Sequence, residues 1–340
     1  MKVLVTGSEG YLGSLLSPYL AARGHAVVGV DTGFYKVGRL YPSQEAVPTL
    51  DKDIRHLDER DLEGADAVVH MAELSNDPLS LITPDVTYEI NHLGSVALAR
   101  LCKTLGIARF VYTSSCSVYG VAERTHVCED SPLFPQTPYA VCKTLVERDV
   151  SRLGDDNFSP TFLRNATAFG ASPRMRFDIV LNNLAGLAWV YRRIGMTSDG
   201  TPWRPLVHAL DICKAIACVL EAPREEVHNE LFNVGDDSQN YQIRMIADIL
   251  SHVFPDCIVA YGSSGSDKRS YRVSFEKIRT KLPGFSCEWD ALRGARQLRA
   301  LFEHINMDEK TFNHRGFTRL KQLQYLLRTH QVDEELYWAA

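Results

Sequence analysis

The 340-residue chain lacks any C-x-x-C pair and any His spacing that suits zinc, although it holds eight cysteines. A zinc ribbon or finger is therefore excluded, and scattered thiols in a chain of this length fit a reducing compartment. No run approaches the roughly 18 consecutive apolar residues of a membrane span; the richest, Ile179–Tyr191, is broken by Asn182 and Asn183. Met1–Thr6 reads as a strand leading straight into turn glycines. It has neither the apolar run nor the small-residue cleavage site of a secretory signal, so a cytoplasmic protein without membrane attachment is expected. Lys and Arg total 37 against 42 Asp and Glu, and no cluster of them forms a stripe that tracks phosphates. Nucleic acid is thus an unexpected partner. With Gly 22 and Pro 15, the composition is neither low-complexity nor collagen-like. A globular enzyme or binding protein remains.

The first half alternates short β-rich runs with amphipathic helical patterns. Strands are predicted at Lys2–Thr6, His25–Asp31, Ala65–Ala72, Ala108–Ser115 and Pro160–Asn165, with little polar alternation. Such runs suit strands buried on both faces of a parallel sheet. Helices are predicted at Tyr11–Arg23, with a kink or bulge at Pro18, and at Val86–Leu105 and Tyr139–Leu153. Repeated βα units imply a Rossmann-type doubly wound α/β sheet. After about Phe169 helices dominate: Ile179–Arg193, Asp211–Glu221, Tyr241–Val253, Trp289–Phe302 and Phe317–Thr329. The expected division is a dinucleotide-binding domain over 1–170 and a smaller, mostly helical substrate-binding domain over 171–340, with part of 204–228 returning to the sheet. A cleft between them would hold the ligands.

Gly7, Gly10 and Gly13 form G-x-x-G-x-x-G directly after the first strand and at the start of a helix. In that context Gly7 permits the turn, Gly10 lets the backbone approach a diphosphate, and Gly13 lets the helix pack on the sheet, with Tyr11 and Leu12 beside the cofactor. Asp31 ends the second strand, about 20 residues after the glycines, where a carboxylate accepts from ribose hydroxyls and repels a 2′-phosphate. NAD is therefore favoured over NADP, although Arg39 keeps the second open. Asp53 and Ile54 are candidates to flank the adenine.

Farther on, Ser114-Ser115-Cys116 closes a strand, and Tyr139 and Lys143 stand i, i+4 on a helix. They share one face, where an ammonium lowers a phenol's pKa. With the Ser115 hydroxyl on the same substrate oxygen, that set can move a proton on or off a carbinol while hydride moves to nicotinamide.

With these pieces in hand, the chain resembles the extended short-chain dehydrogenase/reductase family of nucleotide-sugar epimerases and dehydratases. The resemblance rests on Thr6–Gly13, His70-Met71-Ala72-Glu73, Asn91, Ser114–Gly120, Tyr139–Lys143, Asn182-Asn183-Leu184, Arg204, Val207–Asp211 and Phe232–Gly235. It implies a catalytic Ser115, Tyr139 and Lys143, with Met71 and Ala72 beside the cofactor and Asn91 anchoring the loops around it. It also implies Asn183 and Arg204 on the diphosphate of a nucleotide-linked sugar. A homodimer is implied through a four-helix bundle of Val86–Leu105 and Tyr139–Leu153, supported by apolar stripes at Ile90, Leu93, Ala97, Leu101 and Leu105, and at Val146, Val150 and Leu153.

The pattern also departs from the family. Dehydratases and decarboxylases of the family usually carry carboxylates where Cys116 and Ser117 stand, so the resemblance is read against both activities. Ser115-Cys116 also resembles epimerases in which a neighbouring cysteine is an acid/base; Cys116 is kept as a catalytic candidate, opposite Arg176, Phe177 and Asp178. Thr167 replaces a frequent Asn, and Ser264-Gly265-Ser266-Asp267 replaces Arg-Pro-Gly-Asp, leaving Arg269 or Arg272 as the second diphosphate contact. The leading expectation is an NAD-dependent epimerase of a nucleotide-linked sugar without a metal. A ketosugar reductase and a non-catalytic dinucleotide sensor are the alternatives.

Overall fold

The computed structural model describes residues 1–42, 47–121, 126–262 and 269–339. Its central sheet is parallel throughout and contains β1 (Lys2–Thr6), β2 (Ala26–Asp31), β3 (Thr49–Asp51), β4 (Ala67–His70), β5 (Arg109–Ser115), β6 (Ser159–Asn165) and β7 (Leu231–Val234). The spatial order is β7-β6-β5-β4-β1-β2-β3. Val3, Val5, Val68, Val69, Phe110 and Val111 are buried, which explains why these runs show no alternation.

The helices used below are α1 (Gly13–Ala22), α2 (Ser95–Thr104), α3 (Pro138–Ser151), α4 (Val180–Tyr191), α5 (Ala209–Glu221) and α6 (Arg319–Arg328). One sheet face packs Val3 and Val5 against Leu16 and Leu20 of α1 and Ile212 and Ile216 of α5. The other packs Leu4, Val68 and Phe110 against Leu98 of α2 and Val146 and Val150 of α3. Val146 and Val150, expected in a dimer stripe, thus face the chain's own sheet. Leu93, from the other stripe, stays 58% exposed.

Pro18 lies inside α1, which runs on to Ala22 although the ring removes one helical donor. The helix predicted over Val86–Leu105 is continuous but carries a π-helical segment, Glu89–Gly94, between Pro84–Tyr88 and α2. Such segments widen a helix by one residue per turn. Here the segment holds buried Asn91, whose amide accepts from Leu74 N at 2.8 Å and donates to Leu74 O at 3.1 Å.

The strand order reverses at β1: the chain proceeds outward to β2 and β3, then crosses back to β4 and onward. A crevice opens outside the carboxyl ends of β1 and β4 at such a reversal. Over it sits a helical cap in which α4, Ile243–Val253 and Ala291–His304 bury Phe177, Leu184, Leu250, Leu298 and Phe302 together. The strand Trp203–His208 pairs in parallel with Thr167–Phe169 at the edge of this cap. The second half of the chain is not confined to the cap. Helix α5 and strand β7 belong to the sheet, and α6 packs Leu323 and Leu326 on Phe34, Leu74 and Ile90. None of the described helices is long and apolar enough to cross a membrane.

His208 pins the cap strand. Its Nδ1 accepts from Leu210 N at 3.2 Å, which leaves the proton on Nε2, facing Gln297 Oε1 at 2.9 Å. The ring stacks on Trp289 at 4.2 Å. Gly170, at φ +108°, has no Cβ to strike it; one would lie 2.1 Å from Nε2. Burial pushes the His208 pKa from 6.5 down to about 4. The folded state therefore resists a proton that the unfolded chain accepts, so the stability present above pH 6.5 falls as pH drops toward 4. In denaturant unfolding, wild type should lose more stability over that window than His208→Gln; parallel curves would show that His208 does not contribute.

Candidate active site

The crevice is a cavity of about 1050 Å³ between the sheet's carboxyl edge and the cap. Its first wall is the glycine loop between β1 and α1. Gly7 has φ +74°, and a Cβ there would lie 3.0 Å from Ala72 N. At Gly13 a Cβ would meet Gly7 O at 2.1 Å, so only glycine lets α1 start directly under the loop. No side chain caps that helix start; Ser14 N and Leu15 N donate to Gly10 O at 3.1 Å and Leu12 O at 3.0 Å, so the turn just ahead of them is the part that faces an anion. Gly10 and Leu12 line the same wall. Tyr11 lines it too, but its hydroxyl reaches away and donates to Gly170 O at 2.7 Å, tying the loop to the cap. Burial pushes that phenol's pKa up.

Asp31 accepts from Glu9 N at 3.0 Å through one oxygen and from Gly33 N at 2.7 Å through the other. Each oxygen keeps a lone pair for a hydroxyl, and the carboxylate faces the cavity. Arg39 lies 3.7 Å from Glu9. Ile54 gives an apolar wall, whereas the Asp53 carboxylate is committed to Arg55 through a bidentate pair at 3.0 and 2.8 Å. Met71 and Ala72 both donate their N–H to Thr6 Oγ1 at 3.1 Å, which holds the end of β4 against β1. Asn91 does not line the cavity; it acts at one remove, through Leu74.

Ser115, Tyr139 and Lys143 converge at the end of β5. Thr137 caps α3 by accepting from Ala140 N at 3.2 Å, and Pro138 starts its first turn. That start points the Tyr139 and Lys143 side chains at Ser115, whose own hydroxyl accepts from Ser117 N at 3.1 Å. Burial leaves the Tyr139 pKa above the usual phenol value, and Lys143 and a hydrogen bond to Ser115 pull it down part of the way. The Lys143 ammonium lies 5.4 Å from the centre of the Tyr139 ring.

Lys143 has a partner that sequence reasoning gave no role. Its Nζ stands 2.6 Å from Glu73 Oε2 and also donates to Thr113 O, and both side chains of the pair are almost wholly buried. Tyr112 donates to the other Glu73 oxygen at 2.5 Å. Burial alone would lower the Lys143 pKa, but Glu73 beside it makes the net shift upward. A carboxylate ending an apolar strand run was the available signal, since burial there demands a cation.

Cys116 lines the cavity, but its thiol donates to Arg164 O at 3.2 Å, and burial pushes its pKa up. An acid/base thiol needs the reverse shift. Arg176 and Asp178, its expected opposite group, form their own ion pair at 2.8 Å.

The four expected substrate residues, Thr167, Asn183, Arg204 and Arg269, line the same cavity. Asn183 donates to Phe177 O at 2.8 Å, and Arg204 to Trp203 O at 2.8 Å and to Arg269 O. Arg269 pairs with Asp77 at 2.6 Å. Arg272 lies instead over the Trp203 ring at 4.9 Å. The Ser264–Asp267 departure lies outside the described residues.

The comparisons with known proteins agree with this geometry. The model of the NAD dependent epimerase/dehydratase family matches residues 3–235. A UDP-glucose 4-epimerase of Corynebacterium glutamicum is 27% identical over 86% of this chain and 93% of its own length. The structure of MoeE5 in complex with UDP-glucuronic acid and NAD is 26% identical, with a TM-score of 0.79 over 89% of this chain and 99% of that one.

One expectation is overturned. The reading against a dehydratase does not hold, because an NDP-hexosamine 5,6-dehydratase shares the fold at 23% identity and a TM-score of 0.79, covering 89% of this chain and 98% of that one. So does the dTDP-glucose 4,6-dehydratase of Streptomyces venezuelae, at 24% and 0.77 over 92% and 100%. The exclusion considered only positions 116 and 117, whereas Glu73, Asp77 and Asp178 bring carboxylates to the cavity from other elements.

Removing one member of the buried pair should be costly. Glu73→Gln should lower unfolding stability by about 3–5 kcal/mol, and Glu73→Leu with Lys143→Met should recover most of it. Denaturant unfolding of the three proteins checks this; a single-variant loss below about 1 kcal/mol would mean that water or another group already satisfies Lys143.

Proposed function

The chain belongs to the NAD-dependent epimerase/dehydratase family, and from that premise we propose that it is an NAD-dependent epimerase of a nucleotide-linked sugar. The observation that carries the reading is the convergence of Ser115, Tyr139 and Lys143 in one cavity with the glycine loop and Asp31.

The residues present fit the dinucleotide. The uncapped start of α1 suits a diphosphate, and Asp31 is held with free lone pairs for ribose hydroxyls. Met71 and Ala72 wall the stretch between the loop and the Ser115 end. Hydride acceptance from a ring carbon, and its return, is the chemistry that bound NAD would supply there.

The chain's own residues handle the proton. Tyr139 as phenolate removes the proton of a sugar hydroxyl, and Ser115 donates a hydrogen bond to the same oxygen. Lys143 favours the phenolate through its charge, and Glu73 keeps Lys143 charged and in place. The proton leaves oxygen as the hydride leaves carbon, which would yield a ketone; after the ketosugar turns over, hydride would return to the other face of that carbon and the proton to the oxygen, which inverts the centre. Thr167, Asn183, Arg204 and Arg269 hold the nucleotide diphosphate end, where a guanidinium fork matches phosphate oxygens. Cys116 is a packing residue beside the reacting ring. A homodimer through the helices around Leu93 belongs to the same reading, supported by that exposed side chain.

The test is incubation of the purified protein with a panel of UDP-, dTDP- and GDP-linked hexoses, with products separated by chromatography and weighed by mass spectrometry. An isomer of unchanged mass is the expected product; loss of water, or turnover only with added reduced cofactor, would overturn the reading. Tyr139→Phe should retain NAD binding and lose roughly 10²–10⁴ in turnover. A variant keeping more than half the rate would remove Tyr139 from the proton path.

A further inference from the structure

We propose that Arg319, the first residue of α6, binds the diphosphate of the dinucleotide, so that the C-terminal helix closes the cofactor site. The proposal rests on the dinucleotide reading above and assigns a ligand contact to a residue beyond the family match, which ends at residue 235.

Arg319 is only 2% exposed, and Thr318, Arg319 and Leu320 line the same cavity as Gly7, Gly10 and Asp31. Its guanidinium lies over the Tyr35 ring, 4.2 Å from the centroid. Its side-chain hydrogen bonds are to the main-chain carbonyls of Gly316 at 3.4 Å and Arg174 at 3.5 Å. Both are at the long limit of a hydrogen bond. No carboxylate lies within ion-pair distance of it among the described residues.

The surrounding charges show why this matters. Arg174 is paired with Glu9, and Arg176 with Asp178 at 2.8 Å. Asp31 is held by the backbone N–H groups of Glu9 and Gly33. The neighbouring arginines therefore have anions within ion-pair distance, whereas Asp178 reaches only the main-chain N–H of Arg319, at 3.2 Å, and the Arg319 guanidinium forms no such pair among the described residues. A buried guanidinium without an anion is a costly element of a fold, and an aliphatic side chain would fill the position better. Burial and the nearby Arg176 push its pKa down to about 10, outweighing the opposite pull of Tyr35, Asp178 and Asp31, neither carboxylate being paired with it. An anion entering between the glycine loop and α6 would supply that pair. A diphosphate fits best, because it is doubly charged and its oxygens match the planar fork.

The test compares ADP-ribose with adenosine, by calorimetry, on protein stripped of bound dinucleotide. Arg319→Met should weaken ADP-ribose roughly ten- to a hundred-fold, as for a charged hydrogen bond lost to an anion, and change adenosine less than about two-fold. Arg319→Lys, which keeps the charge without the fork, should fall between the two proteins and serves if the Met variant does not fold. The thermal midpoint of stripped Arg319→Met should not drop below that of wild type. Unchanged ADP-ribose affinity in either variant, or equal loss for both ligands, would overturn the proposal. Wild type that binds no ADP-ribose would instead overturn the dinucleotide reading itself.

Discussion

A buried ammonium organises this molecule. Lys143 has almost no solvent to share its charge with, and its stability as a cation depends on Glu73 at 2.6 Å and on the Thr113 carbonyl. Those groups come from separate elements: α3 carries Lys143, the end of β4 leads into Glu73, and β5 carries Thr113. The pair is met only when all three are in register. The polar ties nearby hold that register: Thr6 Oγ1 fastens Met71 and Ala72, and Asn91 fastens Leu74. The π-helical segment that puts Asn91 in place is therefore part of the same arrangement.

The sheet then supplies what the pair needs to be useful. Because the strand order reverses between β1 and β4, their carboxyl ends diverge and leave room for a long ligand. The glycine loop, Asp31, Ser115, Tyr139, Arg204 and Arg269 all line that cavity. Tyr11 joins these parts mechanically. Its hydroxyl bonds Gly170 O, so the loop that would hold the cofactor is fastened to the chain where the cap begins. The cavity is thus shaped from both sides by contacts that do not themselves touch a ligand.

Much of this was legible in the sequence. Parallel strands announce themselves by apolar runs without alternation, and Gly13 by its place after a strand; Tyr139 and Lys143 stand out by helical spacing taken together with the glycine loop upstream and the serine-rich strand end between. What was not legible depends on long-range pairing. Nothing local says that Glu73 would meet Lys143, or that α6 would return past the cap to place Arg319 beside Tyr35. The stripe of Val146 and Val150 has the same periodicity whether it meets a second chain or its own sheet. The reading against dehydratases failed for the same reason: carboxylates reach a cavity from any element, so one strand end cannot exclude them.

The central claim is that this cavity oxidises a sugar carbon and returns the same hydride. Its most direct test uses a nucleotide-linked hexose with deuterium at the carbon whose configuration changes, turned over by the NAD-loaded protein in ordinary water with unlabelled NAD added. The account predicts an epimer that keeps the deuterium on the inverted carbon, with none in the added NAD. Deuterium lost to solvent, or found in the free cofactor, would contradict it.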